Sequence, residues 1–423
     1  MNPSPQPLPP NPSQSSISQH KKPMDDWFWP FWFTVPIYPY SRRRTLRREI
    51  IPDQIWVFEQ LQGIFYVTVP IRMTVVKLAS GGLLVYAPVA PTRECLRLVA
   101  EITAKHGEIK HIILPTVSGL EHKALVGPFA RKFPQAQVWV IPQQWSFPLN
   151  LPLSWLGFPA QRTKVLPTDS SKTPFGDEFD YEILPAISLG LGKFSEVAFF
   201  HRPSRSLLVT DTLLSIPETP PEIVQLDPYP LLFHARDSAY ESINDTPSNR
   251  VKGWQRIAIF SMYFRAESLT TANLRASLAE AKLAPDRSRR AFYGLYPFQW
   301  QSNWPESFQQ LRGNGQPLVA PILQELILNR GIANTANWVN AMTRWQLERL
   351  IPCHFAAPVM TNPEEIKAAF AFLYKEPLSN LNSINQNSLL PTADLTLLRD
   401  IDQQLLRFGI TPPAQPKIEA NKI

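Results

Sequence analysis

The sequence predicts a layered α/β domain, on three observations. Apolar runs of strand length recur between residues 50 and 141: IWVFEQ, IFYVTVP, MTVVKLAS, LLVYAPV, HIILPT and QVWVI. Segments with apolar residues at helical spacing separate the later runs, so 70–141 reads β-β-α-β-α-β, an order that stacks helices on a sheet. The 423-residue chain is 44% apolar, enough to fill a core of that kind.

The elements follow in order. The Gly81-Gly82 pair between MTVVKLAS and LLVYAPV predicts a hairpin. Thr92 is placed to cap a helix over TRECLRLVAEITAKH, and Gly107 to stop it. HIILPT is the next strand, and 121–133 predicts a short helix broken or restarted at Pro128. QVWVI is again a strand, and the Pro- and Trp-rich stretch 142–176 is loop. EILPAISL, EVAFFH and SLLVTDTLL read as strands, the last two joined by the polar turn HRPSRS, which leaves His201 facing solvent. KGWQRIAIFSMYF and LTTANLRASLAEAKLA read as helices, as do PLVAPILQELILNRG and TANWVNAMTRWQLERL. IPCHFAAPV is a short strand and turn. PEEIKAAFAFLYK is a helix with Pro363 in its first turn, and ADLTLLRDIDQQLLRF is a last helix.

Composition divides the chain further. Residues 1–24, rich in Pro, Ser, Gln and Asn, predict a disordered tail. Residues 25–49 form an aromatic and basic arm. The domain occupies 50–224 and 321–377, a helical insertion 225–320 separates its halves, and a polar tail covers 378–423. There are 44 prolines and only 16 glycines, so the loops are stiff rather than flexible.

The net charge is +7, partly concentrated in SRRRTLRRE at 41–49. Basic surface of this kind meets anionic lipid, acidic protein or nucleic acid. The arm 27–48 is thus a candidate docking site for a protein partner or a membrane surface. No nucleic-acid-binding motif accompanies it. Two cysteines make no disulfide framework and point to a reducing, cytoplasmic compartment. No run of about 20 apolar residues predicts a spanning helix. The nearest stretch, WFWPFWFTVPIYPY, is broken by three prolines and lacks the features of a secretory signal. G-x-S-x-G, Walker and dinucleotide fingerprints are absent.

Three polar residues stand just past or at the ends of apolar strands: His122 after HIILPT, Asp211 in LLVTDTLL and His354 in LIPCHF. Strand ends on one edge of a layered α/β fold converge on one crevice. Here the chain resembles the metallo-β-lactamase superfamily, whose fold is a four-layered αβ/βα sandwich. That resemblance implies a metallo-β-lactamase-like αβ/βα sandwich carrying a mainly helical insertion. The family's first motif, H-x-H-x-D-H, falls on Val117, Gly119, Glu121 and His122. Two of its histidines are replaced and its aspartate has become glutamate. The family's next histidine should lie within AISLGLGKF, which has none. Its metal-bridging aspartate matches Asp211 and its final histidine matches His354. The resemblance therefore implies loss of one metal site and retention of a second donor set, Glu121, His122, Asp211 and His354. The expected cofactor is none or a single Zn, Fe or Mn ion.

DDWFWPFWFTVPIYPY, GIFYVTVPIRMTVVKLASGGLLVYAPVAPT, the long stretch from ILPTVSGLEHK to WLGFP, and LIPCHFAAPV are also similar to a divergent branch of that fold. This branch is a family of unknown function found in cyanobacteria and plastids, and the similarity covers roughly residues 25–375. It implies a photosynthetic cell and a cytosolic or stromal protein, peripheral to a membrane if the arm docks there. Two readings stand open. In one, the protein is a non-catalytic or weakly catalytic binding or scaffold protein. In the other, it is a mononuclear metal-dependent hydrolase or oxidoreductase. Of the remaining candidates, Cys95 and Cys353 read as core thiols, His106 as a helix C-terminal residue and His111 as peripheral. His234 is a candidate to reach the crevice from the insertion.

Overall fold

Residues 55–58 show why two layers flank one sheet. Ile55 and Val57 belong to one buried apolar cluster and Trp56 and Phe58 to another. Alternate side chains of a strand point to opposite faces, so this strand is covered on both. The computed structural model describes residues 25–33, 37–146, 150–375 and 390–419. The disordered-tail reading of 1–24 lies outside the described residues.

The first sheet starts with β1 (Leu46–Ile51), β2 (Ile55–Ile64), β3 (Val67–Lys77) and β4 (Leu83–Tyr86), an antiparallel meander. Gly81 and Gly82 make the β3–β4 turn at φ 77° and 79°, a conformation that suits glycine. Helix α1 (Arg93–His106) begins where the Thr92 side chain accepts from the Cys95 amide and stops at Gly107, φ 92°. Then come β5 (Ile109–Leu114), α2 (Leu120–Lys132), β6 (Gln137–Val140) and β7 (Thr163–Val165), and β4 to β7 run parallel. Helix α2 is continuous through Pro128, against the expected break. Gly127, just before the proline, lies so near residues 156–157 that an added Cβ would sit 2.5 Å from the Leu156 carbonyl. That packing holds the helix in place where its own ladder loses a donor.

The second sheet has the order β8–β11–β12–β15–β16 and is built from β8 (Phe179–Ile183), β11 (Val197–His201), β12 (Ser206–Val209), β15 (Arg349–Pro352) and β16 (Val359–Met360). The small pair β9 (Ile187–Ser188) and β10 (Lys193–Phe194) lies between β8 and β11 in the chain. β11 and β12 form the expected hairpin, whereas β12 and β15 are parallel. Between those two strands run α3 (Glu222–Gln225), α4 (Tyr229–Ala235), α5 (Pro247–Tyr263), the ribbon β13 (Leu269–Thr271) with β14 (Phe298–Trp300), α6 (Leu274–Ala281), α7 (Trp304–Arg312), α8 (Pro321–Leu326) and α9 (Ile332–Met342). The sequence pattern carried a helix through 335–350, but α9 ends at Met342 and 349–352 is the strand β15. The apolar run there serves a strand buried in a sheet, which periodicity alone does not separate from a buried helix. α10 (Pro363–Ala369) starts on Asn362, whose side chain accepts from the Glu365 amide. α11 (Thr396–Arg407) docks through the Arg330–Asp402 ion pair, 2.5 Å.

Three clusters give the layering. One joins the inner faces of both sheets through Val57, Tyr86, Ile113, Phe199, Leu208 and Ile351. A second packs the first sheet on α1 and α2. The third packs Phe200, Leu207 and Val209 of the second sheet on Leu231, Trp254 and Ile257 of α4 and α5 and on Ala336 and Val339 of α9. The fold is thus a four-layered αβ/βα sandwich, with the α3–α7 segment extending the outer layer of the second sheet. The arm before β1 is tied down by backbone hydrogen bonds from Tyr38 to Gly63 (2.7 Å) and by the Thr45 amide on Glu94 (2.7 Å). No helix among the described residues is long and apolar enough to cross a membrane.

Candidate metal centre

Sheet register brings the candidate residues together. Val209 pairs with Pro352 at the ends of the parallel strands β12 and β15, and the Cys353 amide donates to the Val209 carbonyl at 3.0 Å. Asp211 and His354, each two residues past a strand end, therefore become neighbours. The β5–α2 loop reaches them because it pairs with the start of β11: Val197 N–H donates to Pro115 O at 2.9 Å and Val117 N–H to Ser195 O at 3.1 Å. That contact places the first turn of α2, with Glu121 and His122, over the same crevice.

All four sequence-predicted ligands meet there. One ligand atom from each of Glu121, His122, Asp211 and His354 lies within 4.8 Å of every other. His354 Nε2 is 3.1 Å from Asp211 Oδ1, and His122 Nε2 is 3.9 Å from the same oxygen. His122 is fully buried, and neither of its ring nitrogens has a hydrogen-bond partner. Buried polar atoms are nearly always paired, because an unpaired one forfeits its hydration for nothing. Burial, partly opposed by the Asp211 charge, pushes the His122 pKa down to about 4, so the ring is neutral with a lone pair to offer. His354 Nδ1 donates to the Pro70 carbonyl at 2.9 Å, which fixes the ring and turns Nε2 to the cluster. Burial would push His354 down, but the Asp211 hydrogen bond and charge outweigh it and hold its pKa up. Burial would raise Asp211, but the hydrogen bond from His354 and the two imidazoles hold it down. Glu121 is raised by burial and then by the Asp211 charge. Two imidazole nitrogens and two carboxylates suit Zn²⁺, Fe²⁺ or Mn²⁺, and the unpartnered His122 is the observation that fits this set to a metal.

The positions where the family resemblance would place further histidines are closed. Val117 is fully buried in the inter-sheet core. A Cβ on Gly119 would fall 2.8 Å from Thr116 Oγ1 and 3.5 Å from the His122 ring. On the segment after β9, a Cβ on Gly192 would meet the Trp145 ring at 2.9 Å.

Three supporting residues escaped the sequence reading. Glu196 is buried, and its carboxylate accepts from the amides of Thr210 (2.8 Å), Asp211 (3.0 Å) and Thr212 (3.0 Å) and from the Thr212 hydroxyl (3.0 Å). It fixes the loop that carries Asp211. Arg72, 1% exposed, donates to the Pro352 and Phe355 carbonyls on either side of His354 and is held by Glu59 at 2.7 Å. Lys123 is fully buried and donates to the carbonyls of Val117 and Trp145, tying α2 to the 142–146 loop. For Glu196 and Arg72 the available signal was a lone charge at the start of or inside an apolar strand, EVAFF and PIRMTVV; Lys123, on α2, carried none.

Other histidines depart from expectation. His201 is buried rather than solvent-facing, with Nδ1 2.7 Å from Ser204 Oγ and its ring 4.8 Å from that of Phe179. His111 is also buried, accepting from Trp139 Nε1 at 3.3 Å. His234 points away from the crevice, with Nε2 3.1 Å from the Phe65 carbonyl. His106 sits in the last turn of α1, 3.3 Å from Asp53. Cys95 and Cys353 are buried free thiols.

A cavity of about 410 Å³ opens beside the cluster, with Glu121 in its wall between Trp145, Leu189, Leu191 and Lys193. Its rim is mainly apolar. Lys193 Nζ is held 3.0 Å from Gln143 Oε1.

A family model described as "Domain of unknown function (DUF4336)" matches residues 52–372. Among solved structures, a metallo-β-lactamase from Pontibacter korlensis is 12% identical, covering 64% of this chain and 99% of its own, with TM-score 0.31. A flavo di-iron protein variant from Thermotoga maritima is 9% identical over 78% of this chain and 62% of its own, TM-score 0.39. The mono-zinc form of the metallo-β-lactamase FIM-1 from Pseudomonas aeruginosa is 9% identical over 39% and 67%, TM-score 0.29. No curated protein sequence gives a significant match.

Proposed function

The chain belongs to the DUF4336 family, and from the geometry of its crevice we propose that it holds one divalent metal ion and acts as a mononuclear metal-dependent hydrolase. Glu121, His122, Asp211 and His354 would be the ligands. The observation that carries the reading is the fully buried His122, unpartnered at both ring nitrogens, with three further donors within 4.8 Å. An ion held there supplies Lewis acidity, polarising a carbonyl or phosphoryl oxygen and acidifying water. The chain's own residues do the rest. Glu196 and Arg72 hold the Asp211 and His354 loops rigid, so the donors keep their places without reorganisation. Trp145, Leu189 and Leu191 give the cavity beside Glu121 an apolar wall for the uncharged part of a substrate, and Lys193 offers a positive charge at the rim to orient an anionic one. The closed positions of Val117 and Gly119 favour one ion rather than two.

The test is elemental mass spectrometry on untagged protein purified without added metal, beside His122→Ala and Asp211→Ala. The expected result is about one ion per wild-type chain and none in either variant, with slow hydrolysis of ester or phosphodiester probes by wild type alone. Wild type that carries no metal and takes up neither Zn²⁺, Mn²⁺ nor Fe²⁺ overturns the proposal and leaves the binding or scaffold role. Metal without hydrolysis leaves a metal-holding scaffold and overturns the hydrolase half.

A further inference from the structure

A second cavity lies away from the metal cluster and shares no residue with it. It encloses about 910 Å³ between the arm before β1, the β2–β3 hairpin and the segment before β14. That volume falls in the range of small-ligand sites, about 300–1,000 Å³. Two kinds of side chain dominate its wall. Trp27, Tyr38, Tyr40, Tyr66, Phe292 and Tyr293 supply aromatic faces and edges, and Arg42, Arg44, Arg289 and Arg290 supply positive charge against the single carboxylate of Asp227.

The charges are not used up by internal pairing. Arg290 binds Asp227 at 2.7 Å, and the Tyr38 hydroxyl donates to the other oxygen of Asp227 at 2.5 Å, so the one acid in the wall is already satisfied. Arg44 is paired with Glu94 at 3.2 Å and lies 4.1 Å over the Trp27 ring. Arg42 and Arg289 have no acidic partner among the described residues. Each exposed guanidinium in the cavity wall offers a fork-shaped set of donors that matches carboxylate or phosphate.

The backbone adds an independent observation. Tyr40 (φ 56°), Tyr66 (φ 63°), Phe292 (φ 49°) and Tyr293 (φ 59°) all hold left-handed conformations, and all four line this cavity. Bulky residues rarely adopt that conformation, and such strain collects at ligand clamps, where surrounding structure enforces it. Here the enforcement is visible: the Tyr66 hydroxyl donates to the Arg290 carbonyl at 2.8 Å, and its ring packs on Phe292 at 5.1 Å. The hairpin and the 289–293 segment thus hold each other in the strained pose.

We propose that this cavity binds a planar aromatic anion of the nucleotide class, its ring against the tyrosine and tryptophan walls and its phosphate on Arg42 and Arg289. Aromatic walls accept any flat base, and the two free arginines select for a charged phosphate attached to it. The proposal stands on residues separate from the metal cluster, so either can fail without the other.

The test is isothermal titration calorimetry of the full chain with AMP, adenosine and inorganic phosphate as probes. AMP is expected to bind saturably, with adenosine and phosphate each at least about tenfold weaker, the size of one lost charge-assisted or stacking contact. Arg42→Ala/Arg289→Ala and, separately, Tyr40→Ala should each weaken AMP by about tenfold or more, while circular dichroism and metal content stay as in wild type. All three side chains are exposed or half-exposed, so the variants should fold. No saturable AMP binding by wild type overturns the proposal. So does adenosine binding as tightly as AMP, phosphate binding as tightly as AMP, or an unchanged affinity in the arginine variant. Binding of a single-stranded RNA oligomer without AMP binding also overturns it, in favour of a strand-binding surface.

Discussion

Replacing Arg72 by Met should both destabilise the protein and loosen the metal centre, and the structure sets the size of each effect. The guanidinium is 1% exposed and makes two donations to Glu59 Oε1, at 2.7 and 2.9 Å. It also donates to the Pro352 and Phe355 carbonyls. Methionine keeps much of the length but none of the donors. Glu59 then keeps one partner, Arg48 at 2.6 Å, so its charge is not fully abandoned. Removing one member of a buried pair costs about 3–5 kcal/mol, and the surviving Arg48 contact argues for the lower end, about 3 kcal/mol. For a chain of this length that is a fall in Tm of roughly 3 °C. The double variant Glu59→Leu/Arg72→Met removes the stranded carboxylate as well and should recover most of the stability, since apolar replacement of a whole buried pair is about neutral. It should not recover the metal, because the carbonyls flanking His354 still lack their clamp. Loss of such supporting contacts lowers metal affinity by about 10- to 100-fold. Thermal unfolding and metal titration of both variants read the two effects separately. A single variant within about 1 kcal/mol of wild type that takes up metal normally would refute the claim that Arg72 positions His354.

Two more outcomes can be checked on stability alone. Burial holds the His234 pKa down to about 3, and His111 and His201 down to about 4. Each folded value lies below the unfolded one near 6.5, so the unfolded chain takes up protons first as pH falls. Their stabilisation is whole above pH 6.5 and is lost on descending toward pH 4, with fully buried His234 alone contributing about 2 kcal/mol of loss by pH 5. A denaturant midpoint that holds steady or rises from pH 7 to pH 5 would contradict this. Gly253→Ala, in the middle of α5, should cost about 3 kcal/mol although alanine is the better helix former by about 1 kcal/mol. Its Cβ would lie 1.9 Å from the Leu231 carbonyl of α4. A variant as stable as wild type would mean that the two helices can separate at little expense.

The sequence disclosed local structure well where a single residue forces the backbone, and poorly where the outcome depends on distant contacts. Gly81-Gly82, Thr92 and Gly107 mark ends that the structure places as read. Pro128 misled, because the packing that carries α2 past it comes from residues 156–157. The helix read over 335–350 runs too far, into Arg349 and Leu350 of β15, because the burial of that strand comes from β12, some 140 residues earlier, not from its own periodicity; the strand read from Ile351 onward stands. The four candidate ligands were legible from strand ends and a family motif. The residues that hold them were not: the lone charges in EVAFF and PIRMTVV mark Glu196 and Arg72 as unusual, but the backbone groups they bind belong to distant loops that no side-chain pattern reveals. His201 went wrong for the same reason: a polar turn, HRPSRS, folds its histidine inward against Phe179 and Ser204.

The placement of buried charge is the strongest internal argument that the crevice is maintained and not merely left over. A buried charge costs several kcal/mol unless its partners repay it, and apolar replacements are often as stable. Three of the largest such investments near the crevice go to loops that carry candidate ligands. Glu196 binds the amides of 210–212 around Asp211, Arg72 binds the carbonyls of 352 and 355 around His354, and Lys123 binds Val117 and Trp145 beside Glu121 and His122. At Val117 and Gly119, where the resemblance would place two further histidines, the same neighbourhood is closed by packing, with Val117 in the core and Gly119 against Thr116. One half of the crevice is filled, while the other keeps its donors aimed and His122 unpaired. A crevice with no ligand to hold would gain stability by pairing His122 or by replacing it with an apolar residue. A bound cation would give that histidine the partner it lacks, and would give Glu196, Arg72 and Lys123 a common purpose that the fold alone does not.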